Sequence, residues 1–271
     1  MTKTILITGT SSGLGRATAK LFHRHGWNVI ATMRSPEQET ELTKLDNLLV
    51  TRLDVQDAAS IRSAIDVGLE KFGRIDALVN NAGYGAYGPL EVTPFEKIRR
   101  QFDVNVLGLF AVTQALLPHF RANRNGTIVN ISSIGGRMAF PFGSLYHGTK
   151  FAVEGLSEAL QYELAPLGIA VKLIEPGGIK TDFGGRSFDF TNDESITEYQ
   201  PLIQSLFRFF GPMMENASEP ELIADVIYGA TTDGTHRLRY AAGADAVQLI
   251  GTRDATDDAT FFGGMKAQFG L

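Results

Sequence analysis

Short runs rich in β-branched and other apolar residues alternate along the chain with longer segments whose apolar positions recur every three or four residues. Residues 4–8, 28–32, 48–53, 75–79, 127–131 and 170–174 read as strands, with 75–79 of the fully buried type. Between them, residues 16–25 look helical, and 56–72 place Ile61, Ile65, Leu69 and Phe72 on one helical face. Residues 94–120 form a long helical pattern carrying Phe95, Ile98, Phe102, Val106, Leu109 and Phe110, and 146–164 present a face of small and apolar residues. A further helix over about 220–232 and a short strand at 238–242 complete the pattern. Strands alternating with helices predict an α/β fold with a parallel sheet covered on both faces.

Composition narrows this picture. The chain has 271 residues, 44% hydrophobic and 20% charged, enough to bury a sizeable core, and no linker divides it, so residues 1–271 read as one domain. A net charge of −5 without any dense Lys/Arg run leaves no electrostatic footprint for nucleic acid or an anionic membrane. No cysteine is present, which excludes disulfides, thiolate catalysis and sulfur-ligated metals. His23 and His25 would face different ways on a helix, and His119, His147 and His236 are isolated, so no metal site is expected. The N-terminus lacks the layout of a signal peptide, and the longest uncharged stretch, 104–118, is too short to span a bilayer; a cytoplasmic protein is expected.

The candidate chemistry lies where strands end. After the first strand come Gly9, Ser11, Ser12, Gly13, Leu14 and Gly15, then a helix start, an arrangement that brings backbone N–H groups and a positive dipole end onto a phosphate. After the second strand, where dinucleotide sites usually offer an acid to the adenosine ribose, no Asp or Glu occurs between Gly15 and Glu37. Arg34 and Ser35 stand there instead, donors suited to a 2′-phosphate, with a plain surface arginine as the competing reading. Asp54 is open to two readings, an adenine contact or a helix N-terminal residue. Asn80-Asn81-Ala82-Gly83 follows the fourth strand, where small and amide residues let a backbone approach a ring or ribose.

Tyr146 and Lys150 are one helical turn apart. Lowering a tyrosine pKa by roughly three units takes about 4 kcal/mol. A lysine cation roughly 4–5 Å away supplies about 3–4 kcal/mol at an effective dielectric near 20. The pair can therefore make an acid and a base from a phenol, although such a pair is also an ordinary solvated helix contact.

Taken together, Thr8-Gly9-x3-Gly13-x-Gly15, Asn80-Asn81-Ala82-Gly83, Asn105, Ser133, Tyr146-x3-Lys150, and Pro176-Gly177 with Thr181 resemble the short-chain dehydrogenase/reductase family in order and spacing, over nearly all of residues 5–181. The resemblance implies a Rossmann-like doubly wound parallel sheet of about seven strands in the order 3-2-1-4-5-6-7, with helices on both faces and a helical substrate lid. It implies Tyr146 as general acid/base, Ser133 as the hydrogen-bond partner of the reacting oxygen, and Lys150 as the group that lowers the tyrosine pKa and holds the nicotinamide ribose. Asn105 would position a water linking Lys150 to solvent. The glycine loop would take the pyrophosphate, Asp54 and Val55 the adenine, Asn81, Ala82 and Gly83 the ribose side, and Ile179 with Thr181 the carboxamide, Pro176 and Gly177 also belonging to the cofactor site. Arg34 points to NADP, with NAD the runner-up because Ser12 stands where NADP-preferring relatives often have a basic residue.

Residues 182–220 fall where such proteins build their lid. Tyr199, Leu202, Ile203, Leu206, Phe207 and Phe210 fit an amphipathic helix that either packs on the core or lines a pocket. Phe140 and Phe183, with Ser133 and Tyr146, are the candidate substrate contacts; His147 either tunes the pocket or fills its helix. Phe261, Phe262 and Phe269 are expected to dock on a neighbouring surface, and the helices bearing Asn105 and Tyr146 to form a homodimer or homotetramer, the latter by resemblance. The function implied is NADP(H)-dependent interconversion of a lipophilic ketone or aldehyde and its alcohol. The alternatives are an NAD-dependent dehydrogenase of a polar sugar, polyol or hydroxy acid, and a non-catalytic dinucleotide sensor.

Overall fold

The computed structural model describes residues 2–181 and 187–271. In chain order, the strands among these are β1 (Thr4–Thr8), β2 (Asn28–Met33), β3 (Leu48–Arg52), β4 (Ala77–Asn80), β5 (Gly85–Tyr87), β6 (Gly126–Ile131), β7 (Ile169–Pro176), β8 (Phe188–Phe190) and β9 (Arg239–Ala242). The helices are α1 (Gly13–Arg24), α2 (Ala58–Phe72), α3 (Phe95–Phe102), α4 (Leu109–Asn123), α5 (Ser144–Leu164), α6 (Gln200–Glu215), α7 (Pro220–Thr232), α8 (Ala244–Ala255) and α9 (Asp258–Phe269).

Seven strands form one parallel sheet in the order β3-β2-β1-β4-β6-β7-β9. Counted along the sheet's own strands, this is the expected 3-2-1-4-5-6-7. Its apolar runs are continuous because successive side chains enter different cores. Ile5, Ile7, Val29 and Ala31 pack with Phe22 and Trp27 and with Ile223 and Ile227 of α7. Leu6, Ile30, Leu78 and Ile128 point the other way, onto Ile61 and Ile65 of α2 and Leu116 and Phe120 of α4. Fully burying a side chain such as Phe22 is worth about 1.5–3 kcal/mol.

Four local departures from the sequence reading follow from contacts that periodicity does not encode. The helical pattern at 94–120 is not one α-helix: a π-helical turn, Asp103–Gly108, separates α3 from α4 and carries Asn105. Gly85–Tyr87, where the sequence carries no strand pattern, form β5, which pairs in parallel with β8 from the lid segment. The α2 cap is Asp57, whose carboxylate accepts from the Ala59 and Ser60 amides, so Asp54 is not the helix cap. Finally, Phe261 and Phe269 dock within the chain, in a third apolar cluster with Ile134, Met138, Phe140 and Leu206; Phe262 alone of the three stays half-exposed. The face of α6 does both jobs foreseen for it, since Ile203 and Leu206 are buried while Phe210 faces the cleft described below.

At the opposite end of β7 from that cleft, Lys172 is buried, and its ammonium donates to Thr235 O (2.7 Å), Arg237 O (3.0 Å), Tyr240 Oη (3.0 Å) and Asp233 Oδ1 (3.2 Å). This one side chain fixes the loop between α7 and β9; against the effect of burial, hydrogen bonds from Tyr240 and Thr235, joined by the Lys172 ammonium, hold Asp233 down at about 2. Replacing Lys172 with Met strands these acceptors, so stability should fall by about 3 kcal/mol, read as a melting-temperature drop of roughly 6–12 °C.

Candidate active site

Thr8, the last residue of β1, accepts the Asn81 and Ala82 amides at its Oγ1 (3.0 Å each), and Asn81 Nδ2 donates back to Thr8 O (2.9 Å) and Gly9 O (3.0 Å). The two glycine-containing segments are thus stapled together at the carboxyl ends of adjacent strands. Gly9 has φ +72°, and a Cβ on Gly15 would sit 2.3 Å from Gly9 O, so the turn tolerates no side chain there. Ser12 precedes α1 without a side-chain cap, leaving the amides of the first turn to an outside acceptor.

A cleft of about 630 Å³ runs from this turn along the strand ends. Gly9, Ser11, Ser12, Gly13, Leu14, Gly15, Arg34, Asp54, Val55, Asn81, Ala82, Gly83, Ser133, Phe140, Tyr146, Lys150, Pro176, Gly177, Ile179 and Thr181 all line it. Asn105 lies behind its wall, and Phe183 lies outside the described residues. The residues fit a nicotinamide dinucleotide: uncapped amides at one point, small residues around it, and Arg34 exposed at the end of β2 without an ion-pair partner among the described residues. Arg16, the other nearby cation, is held by Glu39 (2.6 Å) and Glu41 (2.9 Å). Against the effect of burial, the Arg16 hydrogen bond and the Leu42 and Glu41 amides keep Glu39 down at about 2, so Glu39 is committed to protein partners.

At the inner end, the Ser133 hydroxyl is hydrogen-bonded to the Tyr146 phenol and also accepts the Gly135 amide at 3.0 Å. Lys150 donates to Ile131 O at 2.8 Å, with its Nζ 5.7 Å from the Tyr146 ring centre. Burial lowers Lys150 to about 8, with Glu154 pulling it back up. Burial raises the Tyr146 phenol, and the Ser133 hydrogen bond only partly opposes this. The expected lowering of the tyrosine by Lys150 is therefore absent: the ammonium is turned onto a backbone carbonyl, and burial outweighs the Ser133 hydrogen bond.

Asn105 is buried in the π-helical turn. Its amide donates to Tyr84 O (2.8 Å) and Thr149 Oγ1 (3.2 Å), and its Oδ1 accepts the Tyr84 amide (3.1 Å). Both amide hydrogens are spent on protein acceptors, so only oxygen atoms of Asn105 are left to hold a water.

Several residues of the site escaped the sequence reading. Tyr87, Phe188, Met213 and Met214 line the cleft, alongside Phe210, which the α6 pattern offers as pocket lining. For the two methionines the signal was present, since they extend the α6 pattern; Tyr87 and Phe188 come together through β5 and β8, which no local pattern announces. His147 neither lines a bare wall nor fills space idly. Its Nε2 accepts the Phe140 amide (3.1 Å), and its Nδ1 donates to Gly135 O (3.0 Å), which fixes the neutral tautomer and ties down both ends of the loop after Ser133.

A doubly wound parallel sheet, a glycine turn against a helix start, and a Ser–Tyr–Lys group at one mouth define an oxidoreductase of Rossmann type. The family model for short chain dehydrogenases matches residues 3–191, and the chain belongs to that family. It is 42% identical over 194 residues to a 3-ketodihydrosphingosine reductase of Bacteroides thetaiotaomicron, covering 72% of this chain and 68% of that protein. A short-chain dehydrogenase structure from Streptomyces avermitilis matches with a TM-score of 0.82 and 34% identity, covering 100% of this chain and 99% of that one. The structure of ElxO with NADP bound matches with a TM-score of 0.74 and 29% identity over 92% of this chain and 100% of that one.

Burial holds His147 at about 4, below the ordinary value of 6.5, against the pull of the Gly135 carbonyl. A depressed histidine stabilises the fold fully above pH 6.5 and loses that contribution as pH falls through 4, because the unfolded chain binds the proton first. His147→Ala should therefore cost about 2–4 kcal/mol in denaturant unfolding at pH 7, and the gap to wild type should narrow steadily between pH 6.5 and 4.

Proposed function

We propose that this protein interconverts a lipophilic ketone or aldehyde and the corresponding alcohol using NADP(H), with Tyr146 as general acid/base. The observation that carries this reading is the Ser133–Tyr146 hydrogen bond at the aromatic end of the cleft, with Lys150 one helical turn on. When bound, the nicotinamide supplies or accepts the hydride. Tyr146 gives its proton to the carbonyl oxygen, or takes it from the alcohol. Ser133 donates to the same oxygen and steadies the charge that develops there. Lys150 keeps positive charge within reach of the phenol and hands protons onward past Ile131, where the oxygens of Asn105 can hold a water. Arg34 receives the 2′-phosphate; the relative bound to NADP supports that choice. The apolar walls and the reductase named above support a lipophilic substrate over a sugar or polyol, and retention of all four catalytic side chains favours an enzyme over a dinucleotide sensor.

The assembly belongs to the same reading. Phe102, Leu107 and Phe151 remain exposed on α3, the π-helical turn and α5, which supports a homodimer or homotetramer formed through that face. Sedimentation equilibrium should give a multiple of the chain mass, reduced by Phe151→Glu.

Oxidation of reduced cofactor with aryl ketones should run at least tenfold faster in kcat/KM with NADPH than with NADH, and Arg34→Ala should erase most of that preference, one charge-assisted contact being worth about 1.5–3 kcal/mol. Tyr146→Phe should cut kcat by about 10²–10⁴ while cofactor binding by fluorescence persists. NADH preference in the wild type would reduce Arg34 to a surface residue.

A further inference from the structure

The inner wall of the cleft holds a polar atom that the proposed reaction does not use. Tyr87 is 7% exposed and lines the cavity, with its ring 5.5 Å from that of Tyr146 and tilted from it by 31°. Phe188 (5.2 Å), His147 (5.8 Å) and Phe210 (6.4 Å) surround the rest of the ring. Its hydroxyl has no hydrogen-bond partner among the described residues. Nor is that hydroxyl among the unpartnered atoms sealed from solvent, and Tyr87 lines the cavity.

The position is built, not incidental. β5 is held by the Ala86 amide on Gln101 Oε1, by the Thr191 amide on Tyr87 O (2.8 Å), and by the Gly88 amide on Phe142 O (2.8 Å). Burial drives the phenol far above its ordinary value, so it stays a neutral O–H at any working pH. An apolar substrate seated here displaces the water that would satisfy this hydroxyl and leaves a buried donor unpaired, a situation that polar sites use to reject analogues lacking the matching group.

We propose that Tyr87 is a second hydroxyl contact for the substrate, beside Tyr146, so that the site selects lipophilic ketones bearing a hydrogen-bonding oxygen or nitrogen on a carbon one or two positions from the reacting carbonyl. This rests on the carbonyl-reductase reading and narrows its substrate class. The two rings lie 5.5 Å apart and the charge of the Tyr146 phenolate reaches the Tyr87 phenol, which is why the second heteroatom must lie near the first. Ser133 is committed to Tyr146 and Gly135, and His147 to Phe140 and Gly135, so of the groups packed against the Tyr146 ring it is Tyr87 that brings a free donor.

The test compares 2-hydroxyacetophenone with acetophenone, which share one apolar body, in wild type and Tyr87→Phe, a change that keeps the ring and its packing. With NADPH, the wild-type kcat/KM ratio should favour the hydroxyketone about tenfold or more, and Tyr87→Phe should lower that ratio about tenfold. Calorimetric titration of each ketone into NADP⁺-saturated enzyme carrying Tyr146→Phe, which blocks oxidation of the hydroxyketone's own alcohol, should show the hydroxyketone alone losing a comparable factor in affinity when Tyr87 is also Phe. An unchanged ratio, with both ketones slowed alike, makes Tyr87 only a wall and overturns the proposal. If neither ketone is reduced but the calorimetric difference is present, the reductase reading fails and the Tyr87 contact stands. Absence of the calorimetric difference defeats the contact whatever the rates.

Discussion

An ammonium group must be kept out of bulk water at Lys150, and much of the surrounding structure answers to that requirement. Lowering its pKa to about 8 from 10.5 means that the folded chain gives up about 3 kcal/mol at neutral pH relative to leaving the group in water. The sign is opposite to that of a partnered surface lysine: this contribution improves as pH rises from 8 towards 10.5, because the unfolded chain releases its proton later. A group that opposes folding yet sits beside a buried phenol is retained for what it does there. The bond to Ile131 O offsets part of the cost, and it ties the ammonium to the final residue of β6, which sets its height in the cleft.

Behind Lys150 lies a second layer of charge, of which Glu154 pulls the lysine part of the way back up against burial. Glu154, one turn further along α5, is buried and held by Arg239 (2.9 Å); Glu175, near the end of β7, is buried and held by Arg137 (3.1 Å). Burial and the neighbouring Glu154 both push Glu175 up. Two buried carboxylates and two arginines thus connect α5, β7, β9 and the loop after Ser133. Such networks add little net stability, since desolvation consumes most of the Coulombic gain. Their effect here is placement: the loop carrying Ser133 is fixed at Arg137 by this network and at Gly135 and Phe140 by His147, so the serine cannot drift from the phenol.

What the sequence made legible is whatever depends on neighbours along the chain. The sheet strands were visible as apolar runs, the cofactor turn as glycines between a strand and a helix, and the acid/base pair as two residues four apart. What stayed hidden depends on partners distant in sequence. Strands of three residues such as β5 and β8 carry no usable alternation, and they exist because Gly85 to Tyr87 meets Phe188 to Phe190 about a hundred residues later. The π-helical turn leaves the apolar spacing of 94–120 almost undisturbed, so the geometry that buries Asn105 against Tyr84 and Thr149 has no local signature. His147 and Asp57 show the same limit from the other side: each residue type fitted several roles, and only the acceptors and donors brought to it decided which.

The cofactor end follows a comparable logic of commitment. By sequence, the missing acid after β2 and the serine at position 12 pulled towards different cofactors. The fold removes part of the ambiguity by pairing Arg16 and Lys20 with Glu39 and Glu41 into a cluster of two cations and two anions, which presents little net charge to a ligand. Arg16 is then unable to turn towards a phosphate without stranding the buried Glu39 carboxylate, and Glu39 is equally unable to turn towards a ribose. On the function proposed above, selectivity between a 2′-hydroxyl and a 2′-phosphate falls to the exposed Arg34 that follows β2. A single solvated cation contributes less than a paired set and is screened by salt, so on this reading the preference for the phosphorylated cofactor is moderate in size and falls as ionic strength rises.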